Sequence, residues 1–134
     1  LVLLVLVASV GAESPAPEIR RLDQKAAATK PGQYPKEMVA ERHDGSYKTA
    51  LQYDGTANEF VVGLWSSEPG VLQTDSYPHD EYCLVLEGTL VVTNRSGTKD
   101  EFKPGDSFVI PKGWAGTWDM KTKFKKQYVA SAAS

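Results

Sequence analysis

From Tyr47 to Ala130 the sequence alternates short strand-like segments with turn-forming residues, and this regularity limits the fold more than any other feature. The segments with the β-branched, aromatic or alternating residues typical of strands are Tyr47–Tyr53, Glu59–Ser66, Val71–Thr74, Glu81–Glu87, Thr89–Asn94, Asp100–Phe102, Asp106–Ile110, Ala115–Asp119 and Lys123–Ala130. The turns between them include Asp54-Gly55, Pro69-Gly70, Glu87-Gly88, Ser96-Gly97, Pro104-Gly105 and Pro111 to Gly113. Short strands at even spacing, with no helical pattern between them, predict an all-β fold, either an antiparallel sandwich or a barrel.

Length and charge narrow the domain count and the classes of partner. The 134 residues fit a single domain, since domains cluster near ~100–150 residues. A net charge of −2 with mixed signs gives no basis for binding nucleic acid or an anionic membrane surface. Within this sequence Cys83 is the only cysteine, so no internal disulfide can form and a buried apolar filler is its simplest role.

The first residues, Leu1 to Ala12, are apolar and uncharged. The run is shorter than the ~20 residues that a transmembrane helix needs. It is typical of the hydrophobic region of a secretory signal peptide that lacks its start, with Val10-Gly11-Ala12 as the cleavage region. We therefore expect a signal peptide at residues 1–12 and an exported protein, periplasmic or secreted. A buried N-terminal strand is the alternative.

Residues 13–44 are rich in Pro, Ala, Lys and Glu and have no sustained period. Several prolines interrupt any helix, so at most one or two helical turns are expected in Glu18–Thr29. We expect an extended N-terminal arm or linker that packs on the domain or is disordered, followed by the β-domain at residues 45–134.

Residues Glu81–Glu87 predict a strand that is covered on both faces. One face carries Glu81, Cys83 and Val85, and the other carries Tyr82, Leu84 and Leu86. The barrel interior covers one face, and either the arm or a second subunit covers the other. This pattern predicts a homodimer.

Two glycine motifs resemble those of the cupin superfamily. Glu81 and Gly88 have the spacing that ends the first cupin motif, and Gly105, Pro111 and Gly113 have the spacing that begins the second. The sequence is also similar to a small single-domain subfamily related to the (S)-ureidoglycine aminohydrolase cupin domain. The positions shared with it are Gly63, Trp65, Pro69, Gly70, Asp80, Glu81, Cys83, Leu86, Glu87, Gly88, Gly105, Asp106, Pro111, Gly113, Gly116, Thr117, Trp118, Lys126 and Tyr128. The resemblance implies a double-stranded β-helix, the jelly-roll barrel of cupins.

The chain departs from the metal-binding cupin pattern. That pattern implies two histidines where this chain has Asp75 and Tyr77, and a third where it has Gly116. Of the expected ligands only Glu81 remains. We therefore expect no cofactor, and leave open a divalent metal held by Glu81 and His79, which have the same strand parity.

Glu81 and Lys126 are the central site candidates. A carboxylate on the inward face of a barrel must be paired or hydrogen-bonded, so Glu81 is a general acid or base, a ligand-binding group, or half of a structural ion pair. In the last strand Lys126 lies between Phe124 and Tyr128 on the same face, which predicts a buried lysine opposite Glu81; a lysine reaching out to the rim is the alternative. Tyr77 is a further candidate for proton transfer.

Aromatic residues are expected to wall the pocket. Trp65, Trp118 and Tyr128, together with Cys83, are the predicted ligand-binding residues, with Trp114 at the edge. The same side chains could equally be plain core. His43 lies in a polar stretch and is expected to be exposed.

Three classes of function remain open. The first is an exported domain that binds a small polar or anionic metabolite without the three-histidine metal site. The second is an enzyme, a ureidoglycine aminohydrolase-like hydrolase, an isomerase or a lyase, that uses Glu81 and Lys126. The third is a structural role in which the barrel only dimerises or binds a partner through its arm.

Overall fold

The computed structural model describes residues 15–55, 57 and 59–131. The signal peptide predicted at residues 1–12 lies outside the described residues. In the part of the chain that is described, no helix is long and apolar enough to cross a membrane.

The described residues form eleven strands and one 3₁₀ helix, Lys36–Met38. The strands are β1 (Lys30–Gln33), β2 (Val39–Glu41), β3 (Ser46–Gly55), β4 (Phe60–Ser67), β5 (Gly70–Thr74), β6 (Glu81–Glu87), β7 (Leu90–Asn94), β8 (Lys99–Phe102), β9 (Ser107–Ile110), β10 (Gly116–Met120) and β11 (Phe124–Ser131). Each of the nine predicted strands overlaps one of β3 to β11. Turn residues predicted these elements well because glycine and proline end a strand wherever they reverse the chain.

The strands form two antiparallel sheets that face each other. The first sheet has the order β1-β3-β4-β11-β6-β9, and the second has the order β2-β5-β10-β7-β8. Strands distant in sequence are neighbours in both sheets, as in a jelly roll, so the predicted all-β barrel is confirmed. Gly88 makes one reversal feasible: its φ is +86°, and a Cβ there would lie 2.2 Å from the Lys123 carbonyl oxygen.

The core lies between the inner faces of the two sheets. Its buried members are Trp65, Leu72, Cys83, Val85, Leu90, Ile110, Trp118, Met120 and Phe124. Trp65, Trp118 and Phe124 contact one another edge to face, with centroids 5.8 to 6.4 Å apart. These rings form an aromatic cluster in the core between the two sheets.

The N-terminal arm is more ordered than its composition suggests. β1 pairs with β3 and β2 pairs with β5, so residues 30–41 extend both sheets. Upstream of β1 the chain crosses the outer face of the first sheet, where Gln52 donates to the Asp23 carbonyl at 2.9 Å and Lys125 donates to the Ala26 carbonyl at 2.6 Å. No helix forms in Glu18–Thr29; an Asp23–Ala26 turn is present instead.

The other half of that outer face has no cover among the described residues. Tyr82 on β6 pairs with Val109 on β9, and these side chains are 44% and 61% exposed. Leu84 and Leu86 on the same side of β6 are half-buried. Two covers were predicted for β6. The barrel interior covers its inner face, whereas its outer face is uncovered among the described residues.

Candidate functional site

A buried ion pair lies at the centre of the barrel. Lys126 Nζ is 2.6 Å from Glu81 Oε2, and each residue is 5% exposed. The two residues are not register partners, because Lys126 pairs with Val85 while Glu81 pairs with Ala130. Glu81 is four residues along β6 from Val85, about 13 Å at the usual strand rise. The long lysine side chain therefore runs along the inner face to reach the carboxylate.

The Glu81 carboxylate accepts hydrogen bonds on both oxygens. Tyr77 donates its hydroxyl to Oε1 at 3.0 Å, and His79 Nε2 lies 3.3 Å from the same oxygen. Oε2 accepts from the Cys83 thiol at 3.1 Å as well as from Lys126. The Tyr77, Cys83 and Lys126 donors satisfy the carboxylate, which makes its burial tolerable.

These contacts fix the charge states of the pair. Burial alone would raise the pKa of Glu81, but the Lys126 ammonium and the donated hydrogen bonds lower it to about 2. Burial alone would lower the pKa of Lys126, but the negative charge of Glu81 at 2.6 Å holds it well above its ordinary value. Burial raises the pKa of Cys83 to about 12, and burial also raises the pKa of Tyr77. At neutral pH the site holds a carboxylate, an ammonium, a thiol and a phenol.

Two tryptophans flank the Lys126 ammonium. Its Nζ lies 5.1 Å from the ring centroid of Trp65 and 4.7 Å from that of Trp118. Both distances are within the range of cation–π attraction, which is stronger where water is excluded. The indoles thus add to the stabilisation of the charge that Glu81 provides.

A small cavity of about 50 Å³ lies against this ammonium. Its walls include Trp65, Tyr77, Trp118 and Lys126, which the sequence singled out, and Trp114 at its edge. Glu81 and Cys83 do not line it. Tyr128 does not line it either: a Cβ on Gly63 would be 2.5 Å from the Tyr128 hydroxyl, so the Tyr128 ring packs over Gly63 instead.

Sequence reasoning missed Tyr34 and Met38, which also line the cavity. The Tyr34 hydroxyl accepts a hydrogen bond from Trp65 Nε1 at 3.0 Å, and its ring stacks on Tyr47 at 4.3 Å. Burial raises the pKa of Tyr34 to about 12. Tyr34 is the only Phe, Trp or Tyr in the proline-rich arm. An aromatic residue that stands alone in such a segment indicates a side chain packed on the domain, and this signal could have identified it.

The remaining polar candidates lie elsewhere. The Asp75 side chain is fully exposed, with one oxygen 3.6 Å from Arg95. His43 was expected to be exposed, and this expectation is wrong. Its Nε2 lies 2.6 Å from Ser67 Oγ, and its Nδ1 accepts the Gly45 amide hydrogen at 2.8 Å. With Nδ1 accepting, the ring of neutral His43 donates to Ser67, so it does not act as a base for that hydroxyl.

The site does not fit the divalent metal of the metal-binding cupins. Among the described residues no group of three His, Cys, Asp or Glu side chains is placed to hold a metal ion. Glu81, the one retained position, already accepts from Lys126, and an ammonium 2.6 Å from the carboxylate repels a cation. The positive charge beside this glutamate is therefore the Lys126 ammonium.

Comparison with solved structures finds proteins that share this fold. A putative ethanolamine utilization protein Q (EutQ) of Salmonella typhimurium is 25% identical, with a TM-score of 0.57 over 66% of this chain and 71% of that chain. The EutQ protein of Clostridium difficile is 20% identical, with a TM-score of 0.58 over the same shares. The polyketide cyclase RemF of Streptomyces resistomycificus is 17% identical, with a TM-score of 0.60 over 86% and 80%.

No curated protein matches the chain. A family profile described as the EutQ-like cupin domain matches residues 55–128, which is more than half of the sequence and spans β4 to β10 and most of β11. The match confirms the cupin superfamily predicted from the glycine motifs and does not address the ureidoglycine aminohydrolase subfamily. With its jelly-roll topology and this match, the chain belongs to the EutQ-like cupin family.

Proposed function

We propose that this domain binds a small polar or anionic metabolite inside the barrel, with Lys126 as the principal binding group. The observation that carries the proposal is a buried, charged ammonium at the wall of an aromatic cavity. Lys126 lines the cavity and Glu81 does not, so the positive end of the pair faces it. An ammonium has three N–H donors, and Glu81 accepts one of them.

The charge states favour binding over proton transfer. A general acid or base works best with a pKa near the operating pH. The pKa of Glu81 lies far below neutrality, at about 2, and that of Lys126 lies well above its ordinary value. Both groups therefore keep one charge state at neutral pH. A hydrolase, isomerase or lyase that uses Glu81, Lys126 or Tyr77 is the weaker alternative for this reason.

The test is a ligand-observed NMR screen of small carboxylates, amides and amines against the unmodified domain and two variants. Because Lys126→Met alone leaves a buried carboxylate without its partner, the test variant is Glu81→Gln with Lys126→Met. Lys125→Met is the matched control, since Lys125 precedes Lys126 on the same strand and faces outward. We expect carboxylates and amides to bind the unmodified domain and the control, and to lose binding in the double variant.

Hits that bind the double variant as well as the unmodified domain would overturn the proposal. Turnover of a hit that stops with Glu81→Gln while binding survives would instead support the enzyme alternative.

Export and dimerisation belong to the same proposal. The apolar segment 1–12 supports an exported protein. The uncovered outer side of β6 and β9, with Tyr82 and Val109, supports association with a second copy of the chain. N-terminal sequencing of the protein recovered from its native cell checks export, with a mature start near Glu13 as the expected result; retention of residues 1–12 would contradict it.

A further inference from the structure

The indole N–H groups of the chain's three tryptophans differ in their partners. Trp65 Nε1 donates to the Tyr34 hydroxyl at 3.0 Å, and Trp114 Nε1 donates to Asn94 Oδ1 at 2.8 Å. Trp118 is 7% exposed, and its Nε1 has no acceptor among the described residues. A buried tryptophan N–H usually finds a partner, because leaving it without one costs free energy. The exception is Trp118, one of the two tryptophans that flank Lys126.

Trp118 also lines two neighbouring cavities. It lines the small cavity at Lys126 and a second cavity of about 260 Å³, and Ile110 and Trp114 are shared walls. The second cavity has mainly apolar walls, including Val92, Phe102 and Phe108. It lies where β8, the edge of the second sheet, and β9, the edge of the first, leave the barrel open. The small cavity has room for only one functional group of a ligand. The second cavity has room for the rest of the molecule.

We propose that Trp118 Nε1 is a ligand-binding donor, and that the ligand is an aromatic or other apolar molecule with one carboxylate or carbonyl group. An oxygen of that group accepts a hydrogen bond from Trp118 Nε1, the positive charge of Lys126 attracts the group, and the apolar body occupies the 260 Å³ cavity. This inference rests on the proposed function and names its ligand class.

The donors at the site decide which chemical group it accepts. Indole N–H and ammonium groups donate and cannot accept, so they match an oxygen acceptor and disfavour an amine. Lys126 Nζ lies 4.7 Å from the Trp118 ring centroid, so its positive charge acts on a group bound at this ring. Asp100, exposed at the wall of the second cavity, disfavours a second negative charge at the far end of the ligand. A monoanion or a neutral carbonyl compound is the best match.

The test uses benzoate, benzamide and benzylamine, which share a ring and differ in the group attached to it. In a ¹⁵N–¹H spectrum of the labelled domain the three tryptophans give three indole signals, and Trp118→Phe assigns the signal of Trp118 by its loss. We expect benzoate and benzamide to shift the Trp118 signal downfield, saturably and more than the other two signals. Benzylamine is expected to leave it in place.

Affinity provides the second measurement. Trp118→Phe keeps a ring at the site and removes one donor, so the Kd for benzoate is expected to rise about 3- to 10-fold, the usual effect of one neutral hydrogen bond. The Kd of the control variant Lys125→Met is expected to match that of the unmodified domain. Binding lost in the Glu81→Gln, Lys126→Met variant but unchanged in Trp118→Phe would overturn this inference and leave the proposed function standing. No response of the Trp118 signal to benzoate or benzamide would overturn it too, with the broader screen still deciding the proposed function.

Discussion

Lys125 and Lys126 are neighbours on β11, yet they face opposite sides of the first sheet and have different partners. Lys125 faces outward, and its ammonium donates to the carbonyls of Gln24 and Ala26 in the arm at 3.1 and 2.6 Å. Lys126 faces inward, and its ammonium donates to the Glu81 carboxylate at 2.6 Å between two indoles. One lysine holds a chain segment in place with neutral partners, and the other is buried with a full opposite charge.

The difference shows what burial demands of a charged group. An ammonium near water needs only carbonyl acceptors, because solvent supplies the rest of its stabilisation. An ammonium at 5% exposure must be compensated by a charge, since removing it from water costs several kcal/mol. The inner pair therefore depends strongly on both partners, and the outer contact depends weakly on either.

The largest effect is expected from breaking the inner pair. Lys126→Met leaves the Glu81 carboxylate buried without its counter-charge, and we expect a loss of about 3–5 kcal/mol in the free energy of unfolding, measured by urea denaturation. Replacing both residues, Glu81→Gln with Lys126→Met, is expected to recover most of that loss, because no unpaired charge remains. A single variant as stable as the unmodified domain would show that water reaches Glu81.

Acid should weaken the same pair. The pKa of Glu81 is lowered to about 2 in the folded chain, so its contribution to stability is present above the unfolded pKa and is lost as pH falls from about 5 towards 2. The expected loss in the free energy of unfolding is at most about 3 kcal/mol. Urea denaturation at several pH values measures it. The Glu81→Gln, Lys126→Met variant should lack this component. Parallel pH profiles for the two proteins would contradict it.

The outer lysine should matter less. Lys125→Met removes two hydrogen bonds to the arm that are partly exposed to water, so we expect a loss of about 1 kcal/mol. Amide hydrogen exchange should rise in residues 22–29 and stay unchanged in β6. A loss as large as that of Lys126→Met would remove the distinction between the two faces.

The smallest effect on stability, and the clearest on assembly, is expected at the uncovered part of the outer face. Tyr82→Lys places a charge on an exposed strand position and should change the free energy of unfolding of the single chain by no more than about 0.5 kcal/mol. If two copies associate through this surface, the variant should be a monomer by light scattering where the unmodified chain is a dimer. Equal masses for the two proteins would contradict the dimer proposal.

Much of the fold could be predicted from the sequence because the residues that form turns act locally. Gly88 and Pro111 mark chain reversals through their own backbone preferences, and the flanking aromatics Phe124 and Tyr128 indicated that Lys126 faces inward. Register and long-range contacts are not local. The sequence does not show that Lys126 runs along the strand to reach Glu81, or that Tyr34 returns from the arm to meet Trp65.

Tyr128 and Asp75 show the limits of strand parity and of motif spacing. Tyr128 has the parity of Lys126, yet its ring lies over Gly63 on the adjacent strand, a space that exists only because the partner there is glycine. Asp75 was matched to a histidine of the metal-binding cupins, yet it lies beyond the end of β5 and is exposed. Parity holds within a strand, and it fails where the strand ends or where a neighbour lacks a side chain.

The position of β11 has a consequence for how the chain folds. It is the last of the described strands, yet it lies inside the first sheet, between β4 and β6. Until β11 is in place, β4 and β6 both have open edges, and edges of this kind can pair with other chains. Its pairing with β4 closes a loop of more than half the domain, so collapse must bring distant segments together before the sheet is complete. The ion pair between β6 and β11 can form only once these two strands have come together, and chains that end before β11 are expected to aggregate.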